Sequence, residues 1–297
     1  MQRKGGLGGR SNSGRWSRLR PATEDPLEEY GLPSKGDRRL LIPSNQERFY
    51  AKIVERYMSF CTDAGDSTSL LKSFASLHLT DQPAPSSPSS SSSSPNPPPT
   101  STSLSHILTA LRKLREGIVA AQRADPFAAQ AYLFAIRLGI LCAHPETYHP
   151  ALLHLLRAIH PRHALTAVEL REAASYLVLD AACRRDDLGE AYGLRNAYRL
   201  RDAKVDAVLG ALARGDWVAF FRVKKGVDGH RARLLDFAED GVRRHLLKAF
   251  GRAYLSVPLR FLEASSGLEW GELRRRYAVG WELDGERVVI RKIQGRS

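Results

Sequence analysis

Tyr254-Leu255-Ser256-Val257-Pro258-Leu259, and after it Gly280-Trp281-Glu282-Leu283-Asp284-Gly285-Glu286-Arg287-Val288-Val289-Ile290, decide how this chain is built. The first run is short and extended. The second holds two strand-like runs around Asp284-Gly285, a pairing that favours a tight hairpin turn because both turn residues tolerate positive φ. Between them, residues 260–264 read as a helical turn stopped by Ser265-Ser266-Gly267, and residues 269–277 as a second short helix carrying three consecutive arginines. A long helix over 231–250, with Gly251 as its stop, precedes the whole.

Long helix, extended run, two short helices and a hairpin is the order of a winged helix. Working back toward the N-terminus, the pattern is helical almost throughout. Asp216 caps a short helix bearing Trp217, Phe220 and Phe221, aromatics at helical spacing that read as core. Gly215 stops a helix over 201–213. Thr166 and Glu169 form a capping box ahead of Leu170, Leu177 and Val178. Pro145 and Pro150 bracket the start of a helix containing Leu152, Leu155, Leu156 and Ile159, and Asp125-Pro126 opens another that runs to about Cys142. Ile107, Leu111, Leu114 and Ile118 recur every three or four residues. The expected fold is therefore all-α: a stacked helical array ending in a C-terminal winged helix with a β-hairpin. No fixed-period repeat is present.

The N-terminal third divides differently. Residues 1–43 are expected to be a disordered basic arm, since the first twenty carry Arg3, Lys4, Arg10, Arg15, Arg18 and Arg20 with no acid, and Trp16 beside them. Ser44 and Glu47 read as a capping box, so residues 44–81 are assigned N-terminal helices, with a second one over 69–79. Residues 82–103 collapse into Ser and Pro and are expected to be a flexible insertion within one array. The helical-repeat domain then spans 104–251 and the winged-helix module 252–297.

Two further patterns carry a family resemblance. One is Ala203-Lys204-Val205-Asp206-Ala207-Val208-Leu209-Gly210-Ala211-Leu212-Ala213-Arg214-Gly215-Asp216-Trp217-Val218-Ala219-Phe220-Phe221-Arg222; the other is the basic amphipathic helix over 234–250 that leads into Tyr254 and the hairpin module. Together they resemble the Sac/GANP group of messenger-RNA export and processing factors. That group is related to the PCI-type (TPR/PCI-like) subunits of the proteasome lid, the signalosome and translation initiation factor three. The resemblance covers the C-terminal third and, as generic helices, the middle third. It implies a non-catalytic scaffold in a multi-subunit complex, pairing through its winged helix with a PCI/winged-helix protein and presenting a basic surface to RNA or single-stranded nucleic acid. The alternative it also allows is a structural PCI subunit with no nucleic-acid role.

Charge agrees with an acidic partner. Lys plus Arg total 45 against 32 Asp plus Glu, a net +13 over 297 residues. The candidate contacts are Arg274, Arg275 and Arg276 on the second short helix, Arg287, Arg291 and Lys292 on and after the hairpin, and a junction cluster of Lys224, Lys225, Arg231 and Arg233 where a groove is expected. Three adjacent arginines span about 200° of a helix and cannot all face one groove. Base-edge readers such as Asn and Gln are missing there, which argues for phosphate contact and against a sequence-specific DNA regulator.

Other chemistries find little footing. Cys142, His144, His149, His154, His160 and His163 lie close in sequence, but Pro145, Pro150 and Pro161 split them across elements, so no metal site is expected. Cys61, Cys142 and Cys183 are an odd set without paired spacing, which fits a reducing compartment. No Gly-rich phosphate loop, GxSxG or HExxH occurs, and the adjacent acids Asp186-Asp187 and Glu239-Asp240 point apart on a helix. The expectations are no enzyme, no cofactor, no small-molecule substrate and no membrane span. Gly5, Gly6, Gly8 and Gly9 disfavour an amphipathic presequence, leaving a nuclear or cytoplasmic protein.

Overall fold

The computed structural model describes residues 26–65, 70, 74 and 99–291. Helix α1 (Pro43–Ala64) starts at a proline, whose missing N–H is one the first turn leaves unbonded in any case. The capping box expected at Ser44 and Glu47 does not form. Ile42 is the N-cap and Ser44 lies inside the helix, while Glu47 pairs with Arg123 at 2.6 Å. The boundary of the arm is corrected too: residues 26–43 belong to the folded body. Leu27, Tyr30 and Leu40 are buried, and Tyr30 packs on Phe49 with ring centroids 4.9 Å apart. Two 3-10 turns, Pro33–Lys35 and Arg39–Leu41, bend the segment against α1. The buried Gln46 amide locks it there, donating to the Leu40 carbonyl at 2.8 Å and accepting from Arg123 at 3.1 Å. Arg3, Lys4, Arg10, Arg15, Arg18 and Arg20 lie outside the described residues.

Helix α2 (Pro99–Ala120) packs along α1, so residues 99–103, expected in the Ser/Pro insertion, are instead its opening turn. On the other side of the insertion, Phe74 is buried against Phe60 at 5.9 Å. Leu70 and Phe74 are helical; the rest of the helix expected over 69–79, and the insertion itself, fall outside the described residues. Helix α3 (Pro126–Leu141) is buried on nearly every face, the mark of a central helix, and the Asp125 carboxylate accepts from the Ala128 N–H at 2.8 Å as expected. Helix α4 (Pro145–His154) runs through Pro150 and widens into a π turn, Leu155–Ile159. Helix α5 (Ala167–Leu179) carries the expected Thr166–Glu169 capping box and also ends in a π turn, Asp180–Arg184.

Helices α6 (Leu188–Ala197), α7 (Ala203–Arg214), α8 (Trp217–Gly226) and α9 (Gly229–Ala253) follow, capped by Asp187, Asp202, Asp216 and Asp228. Each cap carboxylate accepts a first-turn N–H that the helix leaves unbonded. Gly215 stops α7 at φ +65°, as expected. Gly251 does not stop α9, which continues to Ala253.

The chain is mostly helical, a stacked array whose core runs from Ile53 and Leu111 through Ile136 and Leu177 to Phe220 and Leu235. A second, smaller core forms where α9 leaves that stack. Leu246, Leu247 and Phe250 meet Val257, Leu262, Leu273 and Val288. The last four come from β1 (Ser256–Pro258), α10 (Leu259–Ser266), α11 (Trp270–Tyr277) and β3 (Arg287–Val289), while β2 (Glu282–Asp284) is exposed throughout. The strands form one antiparallel sheet ordered β1-β3-β2, with Val257 and Leu283 both opposite Val288. One helix therefore feeds both cores, with no linker between the stack and the C-terminal unit. Among the described residues, no helix is long and apolar enough to cross a membrane.

Candidate nucleic-acid interface

Three of the four junction cations are already neutralised. Lys224 Nζ lies 2.6 Å from Asp236 and 3.1 Å from Glu239 on α9. Arg231 pairs with Asp202 at 2.8 Å and Asp228 at 3.4 Å. Arg233 pairs with Asp236 at 3.0 Å and donates to the Leu141 carbonyl. Only Lys225 of this cluster is exposed without a carboxylate partner among the described residues. A cavity of about 520 Å³ does lie at the junction, but it is walled by Arg184, Arg214, Trp217, Phe237 and His245, not by the lysines.

The arginines of α11 divide similarly. Arg276 lies 3.4 Å from Asp240, and Arg275 lies 3.4 Å from Glu272, while Arg274 is exposed with no ion pair among the described residues. Asp240 also takes the Tyr277 hydroxyl at 2.8 Å and Arg244 at 2.8 Å. The Tyr277 hydrogen bond, aided by the two guanidiniums, holds this carboxyl below its ordinary range. Next to it, Arg243 is buried, donating to the Ser266 carbonyl and Glu239 beneath the Phe221 ring. Glu239 and Asp240, side by side on α9, thus hold Lys224 and Arg243 on one side and Arg244 and Arg276 on the other. Their role is to clamp the C-terminal unit onto α9.

Uncompensated charge gathers instead at the sheet. Side chains alternate along a strand, so Val288 points into the small core while Arg287 and Val289 face outward. Arg287 is opposite Pro258 on β1, and past the end of β3 the N–H groups of Ile290 and Arg291 both donate to the Leu255 carbonyl, which keeps Arg291 beside the chain that leads into β1. Both guanidiniums are held by neutral acceptors: Arg287 donates to Ser256 Oγ at 3.0 Å and Arg291 to the Arg252 carbonyl at 2.8 Å. A neutral acceptor orients an arginine and leaves its charge intact. Arg252 is exposed beside them and, like them, has no ion pair among the described residues.

Tyr254 (41%), Leu255 (47%) and Phe261 (47%) are exposed as well, Tyr254 and Phe261 both lying against Phe250 at the end of α9. Across the sheet, β2 brings Glu282 and Asp284 to the outward face, Asp284 opposite Arg287 and Glu282 opposite Val289. Sequence reasoning marked Arg287 and Arg291 but missed Arg252, Tyr254 and Phe261. The available signal was the adjacency of Arg252, Tyr254 and Leu255, read only as a lead-in to the hairpin. Lys292 lies outside the described residues.

The histidines disperse. His149 Nδ1 approaches the Asp180 carboxylate at 3.0 Å without hydrogen-bond direction, His154 stacks on Tyr132, and His160 accepts from the Leu165 N–H. Among the described residues, no group of three or more His, Cys, Asp or Glu side chains is placed to hold a metal ion. No protein-family model matches the chain, and no curated protein matches it.

Proposed function

We propose that this chain is a non-catalytic scaffold subunit whose C-terminal unit is a winged helix that binds RNA through the outward face of its sheet. Strand, two short helices and a hairpin packed on the end of a long helix support the winged-helix reading. The observation that carries the RNA reading is the set of Arg252, Arg287 and Arg291, all exposed and none with an ion pair among the described residues, Arg287 and Arg291 being held by neutral acceptors. Carboxylate-paired arginines offer little attraction to phosphate, whereas these three keep theirs. The resemblance to messenger-RNA export and processing factors suggests a nuclear assembly with a second winged-helix protein as partner.

The neutralised junction favours a second reading, a structural subunit without a nucleic-acid role. A contiguous basic surface across the junction would have argued against it, and Lys224, Arg231 and Arg233 do not form one. Affinity purification from the native cell, with the eluate divided for protein identification and nuclease-sensitive RNA detection, separates the two. RNA recovered with one stoichiometric winged-helix partner supports the first; a stable multi-subunit complex free of RNA supports the second. Recovery of neither overturns both.

A further inference from the structure

Phe250 organises the aromatic side of the interface. It is buried, and it stacks nearly parallel to Phe261, with an interplanar angle of 7° and centroids 5.6 Å apart. Tyr254 meets it edge-on at 5.3 Å. The separation of the two outer rings therefore cannot exceed the sum of those distances. Phe261 is supported from beneath by a fixed ring and remains 47% exposed, so its free face is a preorganised platform. Tyr254 and Phe261 meet the same buried ring and both stay exposed, and an apolar patch rimmed by polar groups marks a binding surface. Cations flank Tyr254 along the chain: Arg252 two residues before it, Arg291 bonded to the Arg252 and Leu255 carbonyls, and Arg287 bonded to Ser256, which selects an occupant with both flat apolar faces and anionic groups.

Resting on the RNA reading above, we infer that Tyr254 and Phe261 form a stacking platform for unpaired bases, with the three arginines holding the flanking phosphates. The site is thereby selective for single-stranded over duplex nucleic acid. Bases inside a duplex keep their faces covered by their neighbours and cannot occupy the platform. Stacking on an aromatic ring tolerates any base, so the site follows strandedness and not sequence. Because the rings add no charge, they change affinity without changing its salt dependence.

The experiment titrates the full chain with fluorescently labelled oligouridylate and with duplex RNA of the same length, following anisotropy. The variants are Tyr254→Leu, Phe261→Leu, the double variant, and Phe261→Trp. Leucine keeps apolar cover over Phe250 while removing the ring, and Tyr254 itself is 41% exposed, so Tyr254→Leu is the milder of the two single changes. The parent is expected to prefer the single strand. The double variant should bind it about ten-fold or more weakly, at an unchanged salt slope, while duplex binding stays at the parent value and Phe261→Trp binds at least as well as the parent. Parent-like affinity in the folded double variant, or equal loss for both RNAs, overturns the platform and leaves the RNA reading standing. Normal RNA binding with loss of a co-purifying protein would reassign the patch to a protein partner. Failure of the parent to bind either RNA removes the RNA reading as well.

Discussion

Asp180 is a carboxylate with no exposed surface at the start of the π turn after α5, and its removal should be among the most damaging single changes in the stack. Arg184 grips it with Nε at 2.6 Å and Nη2 at 2.8 Å, and the Tyr148 hydroxyl donates at 2.7 Å. Asp180→Ala strands both donors. Breaking a buried pair from one side costs about 3–5 kcal/mol. The Arg184 side chain keeps 26% exposure and can recover some hydration, which places the expected loss near the lower end, ~3 kcal/mol. For a domain of this size that corresponds to a Tm drop of roughly 6–12 °C. Asp180→Asn keeps an acceptor for Tyr148 and should lose about half as much.

The pH dependence follows from the same contacts. Burial alone would raise the Asp180 carboxyl, yet the hydrogen bonds from Arg184 and Tyr148 prevail and hold it below its ordinary 3.8. A depressed carboxyl stabilises the fold above its unfolded pKa and loses that contribution as pH falls through the folded one. The gap between parent and Asp180→Asn should be fully present near neutrality and should close on acidification below about 3.8. Urea unfolding followed by circular dichroism at several pH values measures both. A variant within ~0.5 kcal/mol of the parent at pH 7 would refute the assignment of Asp180 as a structural hub.

Gly117→Ala should destabilise although alanine is the better helix former by about 1 kcal/mol, because its Cβ would stand 2.8 Å from the Leu40 carbonyl oxygen and Cβ. Thermal melts decide the sign, and a stabilised variant would show that the 39–41 turn yields freely. Burial pushes the Cys142 and Cys183 thiols up to about 12, so native-state labelling with a disulfide reagent should modify the half-buried Cys61 first and the other two only on unfolding. Glu239→Gln should loosen the clamp on Lys224 and buried Arg243, raising amide exchange in α10 and α11 while leaving α3 protected. Uniform protection across the chain would contradict that role.

Caps and stops were legible because they satisfy backbone groups locally: Asp125-Pro126, Thr166 with Glu169, and Gly215-Asp216 each lie within a few residues of the N–H or C=O they serve. The hairpin was legible for the same reason. Helix α6 escaped notice because it is short and its stripe of Leu188, Ala191 and Leu194 is weak, with only Ala191 fully buried and glycines and charges between. Residues 26–43 were misjudged because Leu27, Tyr30 and Leu40 are sparse in sequence, and their burial depends on α1 and on the space left at Gly117 of α2. The site was legible only in part, since linear charge counting cannot see which acid meets which base. Lys224 lies twelve positions from Asp236 and becomes its neighbour only once α8 and α9 pack, whereas Arg287 and Arg291 reach a hydroxyl and a carbonyl that carry no charge.

The central claim is that uncompensated arginines on the sheet, and not the cationic junction, bind RNA. Salt-dependent titration of labelled oligouridylate compares the parent with Arg252→Gln/Arg287→Gln/Arg291→Gln and with Lys224→Gln/Arg231→Gln/Arg233→Gln. The sheet variant should lose most of its affinity, with the slope of log K against log salt reduced by roughly two, the value for about three phosphate contacts on a single strand. The junction variant, provided it remains folded, should keep the parent's slope. The reverse pattern, or a parent that shows no salt-dependent binding, would contradict the account.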